Sequence, residues 1–255
     1  MPGLNNPAVP PAYLGVWQRT LLTTTAGTHD TRTRVYWLQT ERLFADLRIP
    51  LPAPQSPEEL ATQAGFAGIT EVVGQRCQWH RAIDFQPPNG GLDIGRMHFE
   101  SSEKVLEDGL DGGYHEIWER LPESIGRNRG TWLSAADGRQ GCLLLAGDCF
   151  LFAAGRREPL PMADSLTALL ANDIPELLDF ELSFGRHQGG ATPWQIELST
   201  LPARIGTALL SADVDPDHPD LLQNALWLNG LGAAPPAGGW QPCQRPLFHD
   251  EEVTP

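Results

Sequence analysis

Apolar and polar residues alternate in short runs along most of this chain, and Gly- and Pro-rich breaks separate the runs. That periodicity of two predicts strands with one face turned inward. The best-defined case is WLQTERLFADLRIP (37–50). A turn at Glu41-Arg42, or through the four residues around them, sets Gln39 opposite Phe44 and Trp37 opposite Asp46. One face then carries Tyr36, Leu38, Thr40, Leu43, Ala45, Leu47 and Ile49. The other carries Val35, Trp37, Gln39, Phe44, Asp46 and Arg48.

A second hairpin is predicted in GCLLLAGDCFLFAAGR (141–156), and both of its faces are apolar. Each hairpin leads to a helix candidate. In SPEELATQAG, Ser56 is the N-cap, Pro57 opens the helix, Glu59 completes a capping box and Gly65 is the stop. In MADSLTALLAND the apolar spacing runs through Met162, Leu166, Leu169 and Leu170. Strand, Gly-Gly turn, strand follows in RAIDFQPPNGGLDIGRMHFES (81–101) and again in FELSFGRHQGGATPWQIELST (180–200). A turn at Asn89-Gly90 places Trp79, Arg81, Ile83 and Phe85 on one face with Ile94, Arg96, His98 and Glu100.

YLGVWQRTL (13–21) also matches YHEIWERLP (114–122), with Tyr13/Tyr114, Trp17/Trp118 and Arg19/Arg120 in register. The ordered set of matches points to internal duplication with a period of about 100 residues. The expected fold is mainly β: two tandem antiparallel barrels, each with a short helix, since closure removes exposed strand edges. A β-sandwich is the alternative. The expected limits are 13–110 for the first barrel and 111–232 for the second, with a connector near 104–113 and tails at 1–12 and 233–255.

Comparing the copies decides which way the polar face of the first hairpin points. Trp37, Gln39, Asp46 and Arg48 correspond to Leu143, Leu145, Phe152 and Ala154, an apolar face fit for burial. The polar face of the first hairpin is therefore expected to point into a lumen. That lumen would gather Trp17, Trp37 and Trp79 with Arg19, Arg48 and Arg81, joined by Gln39, Asp46, His98 and Glu100. Arginine forks bind carboxylate or phosphate, and indole faces stack on rings. The competing reading makes Arg48 with Asp46, or Arg81 with Glu100, internal ion pairs that fix the barrel. Arg19 and Trp17 have equivalents in Arg120 and Trp118, which favours a structural role for both.

The chain of 255 residues carries 18 Lys and Arg against 32 Asp and Glu, a net charge of −14. That balance argues against nucleic acid or an anionic membrane as partner. The N-terminus has neither the basic nor the apolar region of a signal peptide, and no apolar run reaches the roughly 20 residues of a membrane span. Cys77, Cys142, Cys149 and Cys243 lack metal-site spacing and read as reduced thiols of a cytoplasmic protein. No metal or cofactor is expected, for there is neither a Gly-rich phosphate loop nor a dinucleotide fingerprint.

With WxR opening each half and WLQT…DLRIP in the first hairpin, residues 13–210 resemble a fungal two-barrel family whose named member interacts with a casein-kinase homologue (HRI-type). The resemblance implies tandem lipocalin-like or calycin-like barrels with no established enzymatic activity, and it supplies no catalytic residues. The expected function is the binding of a small, anionic, partly aromatic molecule in the first barrel. Arg48 and Arg81 would hold its acidic group, Trp37 and Trp79 its ring, and Gln39 its orientation, with Trp17 and Arg19 nearby. One alternative is a lipocalin-like isomerase, lyase or hydrolase using Asp46, His98 and Glu100 for proton transfer. Another is an interaction module that binds a protein partner, with LFHDEEV (247–253) as a docking peptide.

Overall fold

The computed structural model describes residues 8–170, 175–244 and 246. Its first sheet contains β1 (Gly15–Thr24), β2 (His29–Asp30), β3 (Arg34–Gln39), β4 (Leu43–Ile49), β5 (Ala64–Val73), β6 (Arg76–Asp84), β7 (Asp93–Phe99), β8 (Lys104–Gly109) and β9 (Tyr114–Arg120). The order is β2-β1-β3-β4-β5-β6-β7-β8-β9, every pairing is antiparallel, and β9 pairs back onto β1. Setting aside β2, a two-residue flap on β1, eight strands close an up-and-down barrel.

A second sheet of six strands follows: β10 (Asn128–Ser134), β11 (Gln140–Ala146), β12 (Cys149–Ala154), β13 (Glu181–Arg186), β14 (Gln195–Ser199) and β15 (Gln241–Cys243). Its order, β14-β13-β12-β11-β10-β15, is open, so the described residues contain one barrel and one covered sheet, where two barrels were expected. The segment YHEIWER, read as the start of a second copy, is the strand that closes the first barrel. The barrel thus runs past the expected connector at 104–113, which is β8 and the turn after it. The likeness of 13–21 to 114–122 is a likeness of neighbours: Trp17 stands opposite Arg120, and Arg19 opposite Trp118, across the closing seam. Both strands place an inward Trp and an inward Arg at the same seam, so the two sequences look alike.

The first hairpin pairs Trp37 with Asp46 and Gln39 with Phe44, the register that its turn predicts. Both of its faces are buried. Val35, Trp37 and Phe44 enter the lumen, while Leu38, Ala45, Leu47 and Ile49 share a core with Cys142, Leu144, Leu151 and Phe184 of the second sheet. Tyr36 stacks on Phe184 with ring centroids 4.3 Å apart. Gly65 lies in this interface, where an added Cβ would stand 2.5 Å from a Leu182 methyl. It is a strand residue and not a helix stop. The helix before it, α1 (Pro57–Leu60), has the expected capping box: the Glu59 N–H donates to Ser56 Oγ and the Ser56 N–H to Glu59 Oε2, both at 3.2 Å.

The other face of the second sheet, with Leu143, Leu145, Phe150 and Phe152, is covered by a C-terminal segment that packs Leu209, Val214, Leu221, Leu228 and Trp240 against it. Residues from 233 onward, expected as a tail, therefore include a fully buried tryptophan and strand β15. Helix α2 (Leu166–Leu170) is a single turn, and Met162 lies outside it, exposed. The end of that helix candidate (171–173) and LFHDEEV lie outside the described residues. No helix among the described residues is long and apolar enough to cross a membrane.

Cys77, Cys142 and Cys149 are buried and Cys243 is half-buried. Burial pushes the first two thiols well up and the third, Cys149, up to about 12. A thiol reagent at neutral pH is therefore expected to react with Cys243 first and with the other three only as the chain unfolds. Four equally fast thiols in the native protein would contradict this burial.

Candidate functional site

The two ends of the barrel differ. At one, a 3-10 turn (Pro11–Tyr13) tucks Tyr13 beneath the lumen, where its ring lies 4.8 Å from that of Phe99 and its carbonyl accepts the Trp17 indole N–H at 2.8 Å. The Arg120 guanidinium sits 5.2 Å from the Trp17 ring. Above this plug Trp37 meets Trp17, Trp79 and Trp118 at centroid distances of 6.3, 5.6 and 5.8 Å. Most of the lumen is therefore filled by aromatic rings.

Toward the other end the filling stops. A cavity of ≈ 20 Å³, about the space of one water, is lined by Trp37, Phe44, Asp46, Arg48, Phe66, Trp79, Asp93, Glu107 and Trp118. It reaches solvent past Arg48 and Asp93, whose side chains are 27% and 21% exposed. The Arg48 fork grips Asp46 at 2.7 and 3.2 Å. Burial opposes the charge on Arg48, but the carboxylates of Asp46 and Glu116 outweigh it and raise its pKa. Arg81 stands at the rim, bonded to Asp93 at 2.8 Å and Asp84 at 2.8 Å, with its guanidinium 3.4 Å from the centre of the Phe66 ring. Arg19 is bound at 2.6 Å to Glu116 and at 2.9 Å to Asp30, across the β1–β9 seam and the β2 flap.

Glu107 is different. It is 4% exposed and receives the Tyr114 hydroxyl at 2.7 Å and the Trp118 indole N–H at 3.1 Å. Among the described residues no cationic nitrogen lies within ion-pair distance of it. Burial first, then the nearby Glu116 and Asp93, push its carboxyl well above the usual carboxylate range, against the Tyr114 hydrogen bond and Arg48. Two paired glycines make room around it: a Cβ on Gly95 would stand 2.7 Å from Glu107 Oε1, and one on Gly109 would stand 2.8 Å from the Tyr114 ring.

A folded-state pKa above the unfolded one means that the folded chain holds more protons from about pH 4.5 upward. Glu107 therefore costs stability as pH rises. Glu107→Gln is expected to gain on the native chain by about 1 kcal/mol or more between acid and neutral pH. Urea midpoints of both proteins at the two pH values measure this, and a pH-independent difference would contradict it.

Among the residues expected in the site, Trp37, Asp46, Arg48 and Trp79 come together around the cavity, and Arg81 reaches its rim. Gln39 lies deeper and is used up by the fold: its oxygen accepts from Trp37 and Thr70, and its amide donates to the Thr40 carbonyl. Trp17 belongs to the plug and Arg19 to the seam. His98 and Glu100 are exposed on the outside of the barrel, and Glu100 pairs with Lys104 at 2.9 Å. The trio Asp46, His98 and Glu100 is thus not assembled, and Arg81 does not meet Glu100. The cause is register. Trp79 pairs with Asp93, not with Glu100, and a shift by an odd number of residues exchanges the two faces of β7. Glu107, Asp93 and Phe66 were missed. The alternation Val105, Glu107, Gly109 was the available signal, hidden because 104–113 read as a connector.

The chain is similar in fold to a solved structure. It aligns with the crystal structure of the uncharacterized protein YLR301w from Saccharomyces cerevisiae at a TM-score of 0.59 and 13% identity, covering 91% of this chain and 98% of that one. The likeness shows a shared fold. A lipocalin-like protein from Bacteroides uniformis aligns at 13% identity over 43% of this chain and 99% of that one, with a TM-score of 0.33, too low to carry an argument. No protein-family model and no curated protein matches the chain.

Proposed function

We propose that this is a small-molecule binding protein whose site is the charged, solvent-reached end of the barrel. Eight-stranded barrels are just wide enough to be filled by side chains or to hold one small ligand. This one does both, with aromatic filling at the plugged end and a cavity bounded by four charged side chains at the other. The observation that carries the reading is Glu107: among the described residues it is a buried carboxyl group with two neutral hydrogen-bond donors and no cation, a costly group to hold at the wall of a cavity. Such a cost at the wall of a cavity is what a binding site explains. The kinship with the HRI-type proteins that WLQT…DLRIP suggests is part of this proposal, without the second barrel that was expected with it.

Native mass spectrometry of freshly purified protein tests the reading. An extra mass of a small organic molecule, lost on denaturation, is the expected result. A bare mass, together with tryptophan emission that stays unchanged across a set of small cations, anions and neutral molecules, would overturn it. Trp37, Trp79 and Trp118 line the cavity, so that emission reports directly on its occupancy.

A further inference from the structure

Taking the cavity as a small-molecule site, we infer that its ligand is an organic amine, whose primary ammonium head enters between the aromatic walls and takes Glu107 as counter-ion. The pairing of charges carries this. Asp46 is held by Arg48, Asp93 by Arg81 and Glu116 by Arg19, each within 2.9 Å. Among the described residues Glu107 has neutral donors on both oxygens and no cation. The site thus has every guanidinium fork occupied by the chain's own carboxylates and one buried carboxyl left over. An acidic ligand would have to displace Asp46 or Asp93 and would still face Glu107. An ammonium group completes the set without displacing anything.

Size and surface agree. An ammonium head is close to a water in volume, which is what a cavity of ≈ 20 Å³ admits. The rest of the molecule would lie at the mouth, over Phe66 and the Arg81–Asp93 pair. Trp37, Trp79 and Trp118 give the head the electron-rich surroundings that favour a cation stripped of water. The net charge of −14 raises the local concentration of cations and not of anions. Because burial holds the empty site's Glu107 proton on to a higher pH than usual, amine binding there releases a proton, and affinity falls as pH is lowered.

Three probes of matched shape test the inference on the full chain by tryptophan fluorescence: 2-phenylethylamine, 2-phenylethanol and 3-phenylpropionate. The amine is expected to bind at least about tenfold tighter than the other two. Glu107→Gln is expected to remove about tenfold or more of the amine's affinity and to narrow the gap between the amine and the alcohol by that factor. Phenylpropionate binding as tightly as the amine, or an amine affinity untouched by Glu107→Gln, would overturn the inference and leave the small-molecule reading standing. If none of the three binds, the inference falls; if the purified protein is also bare, the wider reading falls with it. Should Glu107→Gln fail to fold, the probe series on the native chain still decides.

Discussion

Replacing Gly68 with alanine is expected to destabilise the protein by at least about 3 kcal/mol, read as a fall in the urea midpoint at unchanged slope. A Cβ at this position would stand 1.9 Å from the carbonyl oxygen of His80, on the neighbouring strand. Backbone cannot rotate out of the way as a side chain can, so β5 and β6 would have to separate. The crowding arises from a β-bulge. Pairing shifts between Ala67 and Gly68, so Ala67 faces Ile83 while Gly68 faces Arg81, and Ala82 is left over. Gly74, in the turn between the same strands, is the control. A Cβ there meets nothing within 4 Å, although its φ of +63° favours glycine, and its replacement should cost only about 1 kcal/mol. Equal losses at the two positions would refute the argument from close approach. Gly185 repeats the device in the second sheet, 1.9 Å from the Gln195 carbonyl and beside a register shift after Phe184.

The Gly68 bulge also shapes the candidate site. It lets Trp79 point into the lumen, carries Arg81 to the rim over Phe66, and sends Ile83 into the core shared with the second sheet. A Gly68→Ala chain that still folded should therefore show altered tryptophan emission from the lumen as well as being less stable.

The second large effect is expected at the closing seam. Arg19→Met should cost about 3–5 kcal/mol, because Glu116, 4% exposed, would be left as a buried carboxylate without its guanidinium. Arg19 also ties the β2 flap to the barrel through Asp30. Burial opposes ionisation of Asp30, but hydrogen bonds from Thr33 and Arg32 and the charge of Arg19 together hold its pKa down to about 2. With the folded value below the ordinary 3.8, Asp30 stabilises the fold above that pH, and the contribution is lost as pH falls toward 2. The double replacement Arg19→Met/Glu116→Leu should recover much of the loss, since it removes the buried carboxylate and leaves only Asp30, which is partly exposed and keeps its backbone hydrogen bonds, without a guanidinium. Equal instability of the single and double variants would show that packing at the seam, not charge, sets the cost.

Local sequence determined the elements whose turn chemistry is self-contained. The hairpin through Glu41-Arg42 has its predicted register because a short turn leaves alternation no freedom; the burial of both faces, expected on the premise of two like barrels, comes instead from the second sheet packing on one face while the other lines the lumen. The Ser56–Glu59 capping box formed for the same reason: its partners lie three residues apart. Trp37, Asp46 and Arg48 were legible as lumen residues on that basis, whereas Trp79 lines the lumen in a register other than the expected Asn89-Gly90 one. Tertiary structure decided what depends on pairing between distant strands. The long connection after β6 leaves the β6–β7 register to the barrel, so His98 and Glu100 turn outward and Asp93 inward. Closure by β9 onto β1 made one barrel from residues that looked like the start of two, and made a lumen strand of the presumed connector that holds Glu107. Charge compensation was likewise beyond the sequence. Which arginine meets which carboxylate is set by distances across the lumen, and among the described residues those distances alone single out Glu107 as the cavity-lining acid left without a cation.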